Sequence, residues 1–187
     1  MLTQVHPKSC RQCGKEFTPV RPLQAVCSPR CATRQALAAS KAKKAAERAT
    51  TKARKEAIKT IADRIATAQK ECNAYIRLRD MHTGCIDCGK PFEPQRPGGS
   101  MDAGHFRSRS SAPNLRFCED NIFGQRKNCN RPGGATAANF RAGVVARIGE
   151  ERVLAVEHDN APRKWTHAEL IEIAATYKQK RKDLEAA

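Results

Sequence analysis

The residues best equipped for chemistry here are thiols and one imidazole. Cys10-Arg-Gln-Cys13-Gly-Lys and Cys85-Ile-Asp-Cys88-Gly-Lys share one pattern. It is a tight bend whose two thiolates grip a metal while the glycine takes the backbone conformation the bend needs. Cys27-Ser-Pro-Arg-Cys31 follows the first bend after 13 residues. Cys10, Cys13, Cys27 and Cys31 therefore make a four-thiolate structural zinc site, with room for a short hairpin through Phe17. Unligated thiols would leave this aromatic-poor segment without a core. Further on, Asp102-Ala-Gly-His105 offers a carboxylate and a base, a weak signal when taken alone.

The elements that must position these groups are mostly helical. Residues 32–80 contain neither Gly nor Pro and are rich in Ala, Lys, Arg and Glu, which predicts one long helix. Ile58, Ile61, Ile65, Tyr75 and Ile76 mark its second half as the docked part. A Pro/Gly loop at 91–100 precedes the segment around His105. Thr136 can cap a helix to Ile148, with Gly149 as its stop and Glu150 to His158 as another short helix. Thr166 and Glu169 form a capping box for a last helix, with Trp165 as anchor. The odd cysteine, Cys72, lies in the helical stretch and is spare; His6, His82, His158 and His167 have no partner pattern and read as surface.

Composition narrows the partners. The chain of 187 residues carries 35 Lys and Arg against 19 Asp and Glu, a formal charge of +16. Of these, 13 basic and 5 acidic residues fall within 32–80, so half the excess sits on the helix. Such an excess points to a polyanion, above all nucleic acid. Lys41, Lys43, Lys44, Lys52, Arg54 and Lys55 are the candidates for phosphate contact, against the plainer alternative of a solvated helix face. Only nine residues are aromatic, so metal must supply folding energy that a thin core cannot. No segment approaches the roughly 20 apolar residues of a membrane span. The opening MLTQVHPKSC lacks the apolar run of a signal peptide, so a cytoplasmic protein without membrane contact is expected.

Asp102-Ala-Gly-His105-Phe-Arg-Ser-Arg, then Asn114-Leu-Arg-Phe and Cys129-Asn130-Arg, resemble the core of HNH nucleases. With the Cys-rich start, the basic helix and Asn139-Phe-Arg141, the chain resembles the phage NinG (Rap) recombination proteins over most of its length. That resemblance implies an α+β, mostly helical fold with four parts. These are an N-terminal zinc module (1–31), a basic helix (32–80), a ββα-metal core with a zinc knuckle (81–148) and C-terminal helices (149–187). It also implies an endonuclease acting on branched recombination intermediates such as Holliday junctions and D-loops. Two structural zinc ions and a catalytic Mg²⁺ or Mn²⁺ would be its cofactors.

In that pattern His105 ends the first strand and is the general base, as an imidazole of ordinary pKa about 6.5 suits. Asn114 would pin the loop and hold the histidine, unless it is only a turn residue after Pro113. Asn130 and Asp102 would hold the catalytic ion through oxygen, which favours Mg²⁺ or Mn²⁺ over zinc. Arg107 and Arg109 would hold the scissile phosphate or be ordinary surface charge, and Gln125 is either supporting or solvated.

Two positions depart from the family pattern. Gly104 stands where many HNH enzymes place Asp or His, and Asp102, three residues before His105, points to the opposite strand face unless the backbone bulges. Arg126 stands where a further cysteine is usual, which leaves Cys85, Cys88 and Cys129 for the second zinc, with Cys118 as an off-register fourth ligand. Three function classes follow. They are the endonuclease, a catalytically silent zinc module that holds recombination intermediates for other recombination proteins, and a ribosome-associated or host-directed zinc protein. Paired cuts in a symmetric junction would require a homodimer.

Overall fold

The computed structural model describes residues 6–93 and 99–187, so the centre of the Pro/Gly loop lies outside the described residues. The chain divides into two units, one ending at Ile58 and one running from Lys59 to Ala187. It is α+β and mostly helical, with five α-helices and two two-stranded sheets among the described residues.

In the first unit, β1 (Lys8–Ser9) pairs antiparallel with β2 (Glu16–Phe17). Helix α1 (Pro29–Ala57) starts where Ser28 accepts a bond from the Cys31 amide at 3.3 Å, with Pro29 at the first helical position. The fixed φ of Pro suits that place, because its missing N–H would be unbonded anyway. Cys31 is the only buried residue of α1, and every residue from Ala32 to Ala57 is exposed.

The single helix expected over 32–80 is two. Helix α1 stops at Ala57, and α2 (Ile61–Arg79) begins after Thr60. The Thr60 hydroxyl accepts from the Asp63 amide at 3.2 Å, and the Asp63 carboxylate accepts from the Thr60 amide at 2.9 Å. This capping box ends the helical run without any Gly or Pro. The division between the two units falls in this break, and Ile58 is 79% exposed instead of docked.

The second unit is built on a hairpin. Strand β3 (Met101–His105) pairs antiparallel with β4 (Ile122–Arg126), in unbroken register from Met101↔Arg126 to His105↔Ile122. Helices α3 (Ala137–Ile148), α4 (Glu150–His158) and α5 (His167–Ala186) follow, capped at Thr136 and by the Thr166–Glu169 box. One hairpin face turns Ile122 into a core with Ala68, Cys72 and Ile76 of α2 and Leu170 and Tyr177 of α5. The other turns Phe123 against Ile86, Phe140, Val144 and Val153. Burying each such aliphatic or aromatic side chain contributes about 1.5–3 kcal/mol. Cys72 is a fully buried core residue, and Trp165 makes a T-shaped contact with Phe117 at 5.0 Å between centroids.

A buried carboxylate ties α2 to both. Asp80 accepts from Arg79 Nε at 2.7 Å and from the Gly124 amide at 2.6 Å, and pairs with Arg147 at 3.3 Å. Arg79 also donates to the Ile122 carbonyl at 2.9 Å.

Candidate functional site

The two Cys-x-x-Cys bends are the same object. Cys10 N–H donates to the Lys15 carbonyl and Gly14 N–H to the Cys10 carbonyl, both at 2.9 Å. Cys85 N–H donates to Lys90 and Gly89 N–H to Cys85, again at 2.9 Å. Gly14 at φ 70° and Gly89 at φ 67° take the left-handed backbone that closes each bend.

The ligand atoms of Cys10, Cys13, Cys27 and Cys31 lie within 4.8 Å of one another, with Cys13–Cys27 at 3.6 Å and Cys27–Cys31 at 3.7 Å. A tetrahedral zinc at about 2.3 Å from each sulfur would set such edges near 3.8 Å, so the four thiols fit the metal. In the second unit Cys85, Cys88 and Cys129 gather within the same 4.8 Å, with Cys88–Cys129 at 3.6 Å. Each group could hold a metal ion such as zinc.

Cys118 does not join the second group, which corrects its assignment as the fourth ligand. It precedes the 3₁₀ turn Glu119–Asn121 and packs by Ala112, Leu115 and Val156. The fourth corner is instead the place of Arg126. Its amide donates to Cys85 Sγ at 3.2 Å, as the Cys27 amide does to Cys10 Sγ at 3.3 Å. Its carbonyl accepts from the Asn130 amide at 3.0 Å, the same i to i+4 closure as the two knuckles. Arg126 therefore occupies a ligand position with a non-ligand side chain, which turns to Glu93 at 2.8 Å.

His105 ends β3 half-buried, and its Nε2 lies 3.0 Å from the Arg116 carbonyl. A carbonyl only accepts, so Nε2 carries the hydrogen and Nδ1 is the basic nitrogen. Burial lowers the pKa of His105, and the charges of Arg109 and Arg116 push the same way, while the carbonyl bond opposes them. The ring is therefore a neutral base at and somewhat below its ordinary range.

Asp102 lies on the other face. Because β3 has no bulge, residues 102 and 104 share a face with Phe123 and Gln125, while 103 and 105 share one with Ile122. The bulge that would bring Asp102 round to His105 is not formed. Asp102 Oδ2 instead accepts from Asn130 Nδ2 at 3.1 Å. Asn130 lies in the turns before α3, not at its first residues.

Asn114 holds nothing at His105; its Nδ2 reaches the Asp159 carbonyl at 3.4 Å. The residue that pins the loop is Asn121, fully buried and missed in the sequence. Its Oδ1 accepts from the Arg107 amide at 2.7 Å, and its Nδ2 donates to the Arg107 and Leu115 carbonyls at 3.0 and 3.1 Å. The signal available was an Asn opening the apolar strand Ile122-Phe123 four residues before Gln125.

The basic residues sort themselves as well. Arg107 is spent on structure, donating to the Val156, Glu157 and Asp159 carbonyls at 2.8–3.1 Å and so capping the C-terminus of α4. Arg109 is exposed. On α1, at about 100° per residue, Arg30, Arg34, Lys41, Lys44, Arg48, Lys52 and Lys55 lie within about 40° of one line, while Lys43 and Arg54 lie on the other side. The line runs for about 38 Å at 1.5 Å per residue, and every one of the seven is exposed. His158 Nδ1 stands 2.7 Å from the Leu154 carbonyl, and His167 Nδ1 accepts from Arg64 at 2.8 Å, so neither joins a thiol group. Among the described residues no helix is long and apolar enough to cross a membrane.

Comparison with known proteins gives the family. The profile described as Bacteriophage Lambda NinG protein matches residues 3–186. Protein ninG of Escherichia phage lambda is 36% identical over 98% of this chain and 96% of its own length. Protein ninG of Salmonella phage P22 is 37% identical over 92% of this chain and 90% of its own, and that of Escherichia phage 933W is 36% identical over 95% and 93%. No solved structure matches the chain. With the match spanning nearly every residue in both directions, the chain belongs to the NinG family.

Proposed function

We propose that the protein is a metal-dependent, HNH-type endonuclease that hydrolyses phosphodiesters in branched DNA intermediates of phage recombination. The observation that carries this reading is His105. It stands at the end of a hairpin strand with its Nε2–H on a backbone carbonyl, its Nδ1 left basic and two guanidiniums nearby.

Nδ1 takes the proton of the attacking water, while the Arg116 carbonyl keeps the ring in the tautomer that makes this possible. Asn121 holds the Arg107 backbone just beyond His105 and so keeps the base in place. Arg109 and Arg116 add positive charge where a phosphate would lie, and the stripe on α1 gives a duplex arm a phosphate-backbone contact. Asp102 and Asn130 would hold a divalent cation, which when bound supplies charge for the nonbridging and leaving oxygens. Zinc in the two thiol groups would be structural, since thiolates rather than oxygens surround it.

The test is cleavage of a four-way junction in Mn²⁺ by wild type and His105→Ala. Removal of the base should cost about 10² to 10⁴-fold in rate. Equal cleavage by both would remove His105 from the role. Because the base must be neutral and its pKa is lowered by burial, the rate should hold as pH falls through about 6.5 and decline only below it. A decline already centred above 6.5 would contradict the geometry. The separation of Asp102 and His105 on opposite faces favours a second reading, a silent module that binds branched DNA. Junction binding without cleavage by any variant would select it.

A further inference from the structure

On the α3 side of the hairpin, a cavity is lined by Asp87, Phe106, Gln125, Asn130, Thr136 and Phe140. Gln125 is only 4% exposed, yet its Oε1 has no hydrogen-bond partner among the described residues. Asp87 lines the same cavity, and its Oδ1 likewise has no hydrogen-bond partner among the described residues. An unpaired buried carbonyl is costly, so a donor or a cation belongs beside it.

The position of that oxygen is telling. A Cβ on Gly104 would meet Gln125 Oε1 at 2.1 Å and its Cδ at 2.9 Å. The carboxamide thus fills the space that a side chain at 104 would use, on the strand face shared with Asp102. Gln125 is the cross-strand partner of Asp102, and Asp102 is bonded to Asn130 at 3.1 Å. Asp102, Gln125 and Asn130 thus sit on one side of the hairpin, from β3, β4 and the turn before α3, with Gln125 and Asn130 lining one cavity. A donor set of oxygens selects a hard cation such as Mg²⁺ or Mn²⁺, where the thiol groups select zinc.

We infer that Gln125 supplies its carboxamide oxygen as a ligand to a divalent cation held with Asp102 and Asn130, in the place left open by Gly104. The inference rests on the nuclease reading only for what the ion is used for.

The experiment titrates Mn²⁺ into the full chain carrying zinc, reading free Mn²⁺ by electron paramagnetic resonance, for wild type and four variants. Asp102→Ala, Gln125→Ala and Gly104→Ala, the last of which pushes the carboxamide away, should each weaken Mn²⁺ binding by about tenfold or more, with zinc content unchanged. Gln125→Glu keeps an oxygen at the same place and should bind at least as tightly. Wild-type affinity in both Gln125→Ala and Gly104→Ala overturns the assignment. So does loss of Mn²⁺ in Gln125→Glu, which keeps the side-chain length and decides the matter if Gln125→Ala fails to fold. Gln125-dependent Mn²⁺ binding by a chain that cuts no junction supports the cation site while ending the nuclease reading. Wild-type cleavage by Gln125→Ala at limiting Mn²⁺ supports the nuclease and ends the role of Gln125.

Discussion

The two knuckle regions begin from one local design and differ in what surrounds it. Around Cys10 and Cys13 the bend carries four thiols, a two-residue hairpin and little else that is buried. Around Cys85 and Cys88 the same bend carries three thiols, but Ile86 sits in a core with Phe123, Phe140, Val144 and Val153. The comparison turns on Cys27 and Arg126, whose amides bond the first sulfur of their bends at 3.3 and 3.2 Å. Where apolar burial already fixes the geometry, a ligand position can be given up to an ion pair. Where burial is sparse, all four thiols are present.

The largest effect that could break this comparison is metal removal. Chelation should unfold the hairpin and the start of α1 while the α2–α5 core persists, since structural zinc supplies about 10–16 kcal/mol in domains of this kind. Hydrogen exchange reports it: the Cys10 and Gly14 amides should lose protection while those of Ile76 and Leu170 keep theirs. Joint loss in both units would mean that the second also depends on metal.

Next in size is Asp80→Ala, which leaves Arg79 and Arg147 without their buried partner and should cost the second unit about 3–5 kcal/mol. Urea unfolding followed by Trp165, the only tryptophan, measures it. A loss below 1 kcal/mol would show that packing alone holds α2 to β4.

Arg126→Cys sharpens the comparison from the other direction. It should return a fourth thiolate and raise zinc affinity at the second site by at least about tenfold, or about 1.4 kcal/mol, as read by competition with a chromophoric chelator. Unchanged affinity would mean that position 126 is not a ligand corner.

The smallest effect concerns the exposed arm of the first unit. Lys44→Gln with Arg48→Gln should lower the salt slope of duplex binding by up to about 1.8, at about 0.9 per phosphate contact. Lys43→Gln with Arg54→Gln changes the charge equally and should leave the slope alone. Equal slopes in fluorescence anisotropy would dissolve the one-sided stripe.

Much of the site was legible because its signals are local. Cys-x-x-Cys-Gly-Lys dictates a bend whatever surrounds it, since a positive φ at Gly14 and Gly89 needs no distant partner. The Thr166–Glu169 box and the Gly149 stop are local too, and both stand where expected. The Thr60–Asp63 box obeys the same rule but was masked by a strongly helical composition on either side.

By itself, then, the sequence determined the α+β mostly helical class, the two metal-capable thiol groups and the charge carried on α1. Tertiary structure alone decided which asparagine pins the loop, that Arg107 is consumed by the end of α4, that Cys118 packs in a core, and that Gln125 fills the space of Gly104. The physical reason is range. Bends and caps are settled within five residues, whereas a buried amide or guanidinium takes partners from chain as far as 52 residues away.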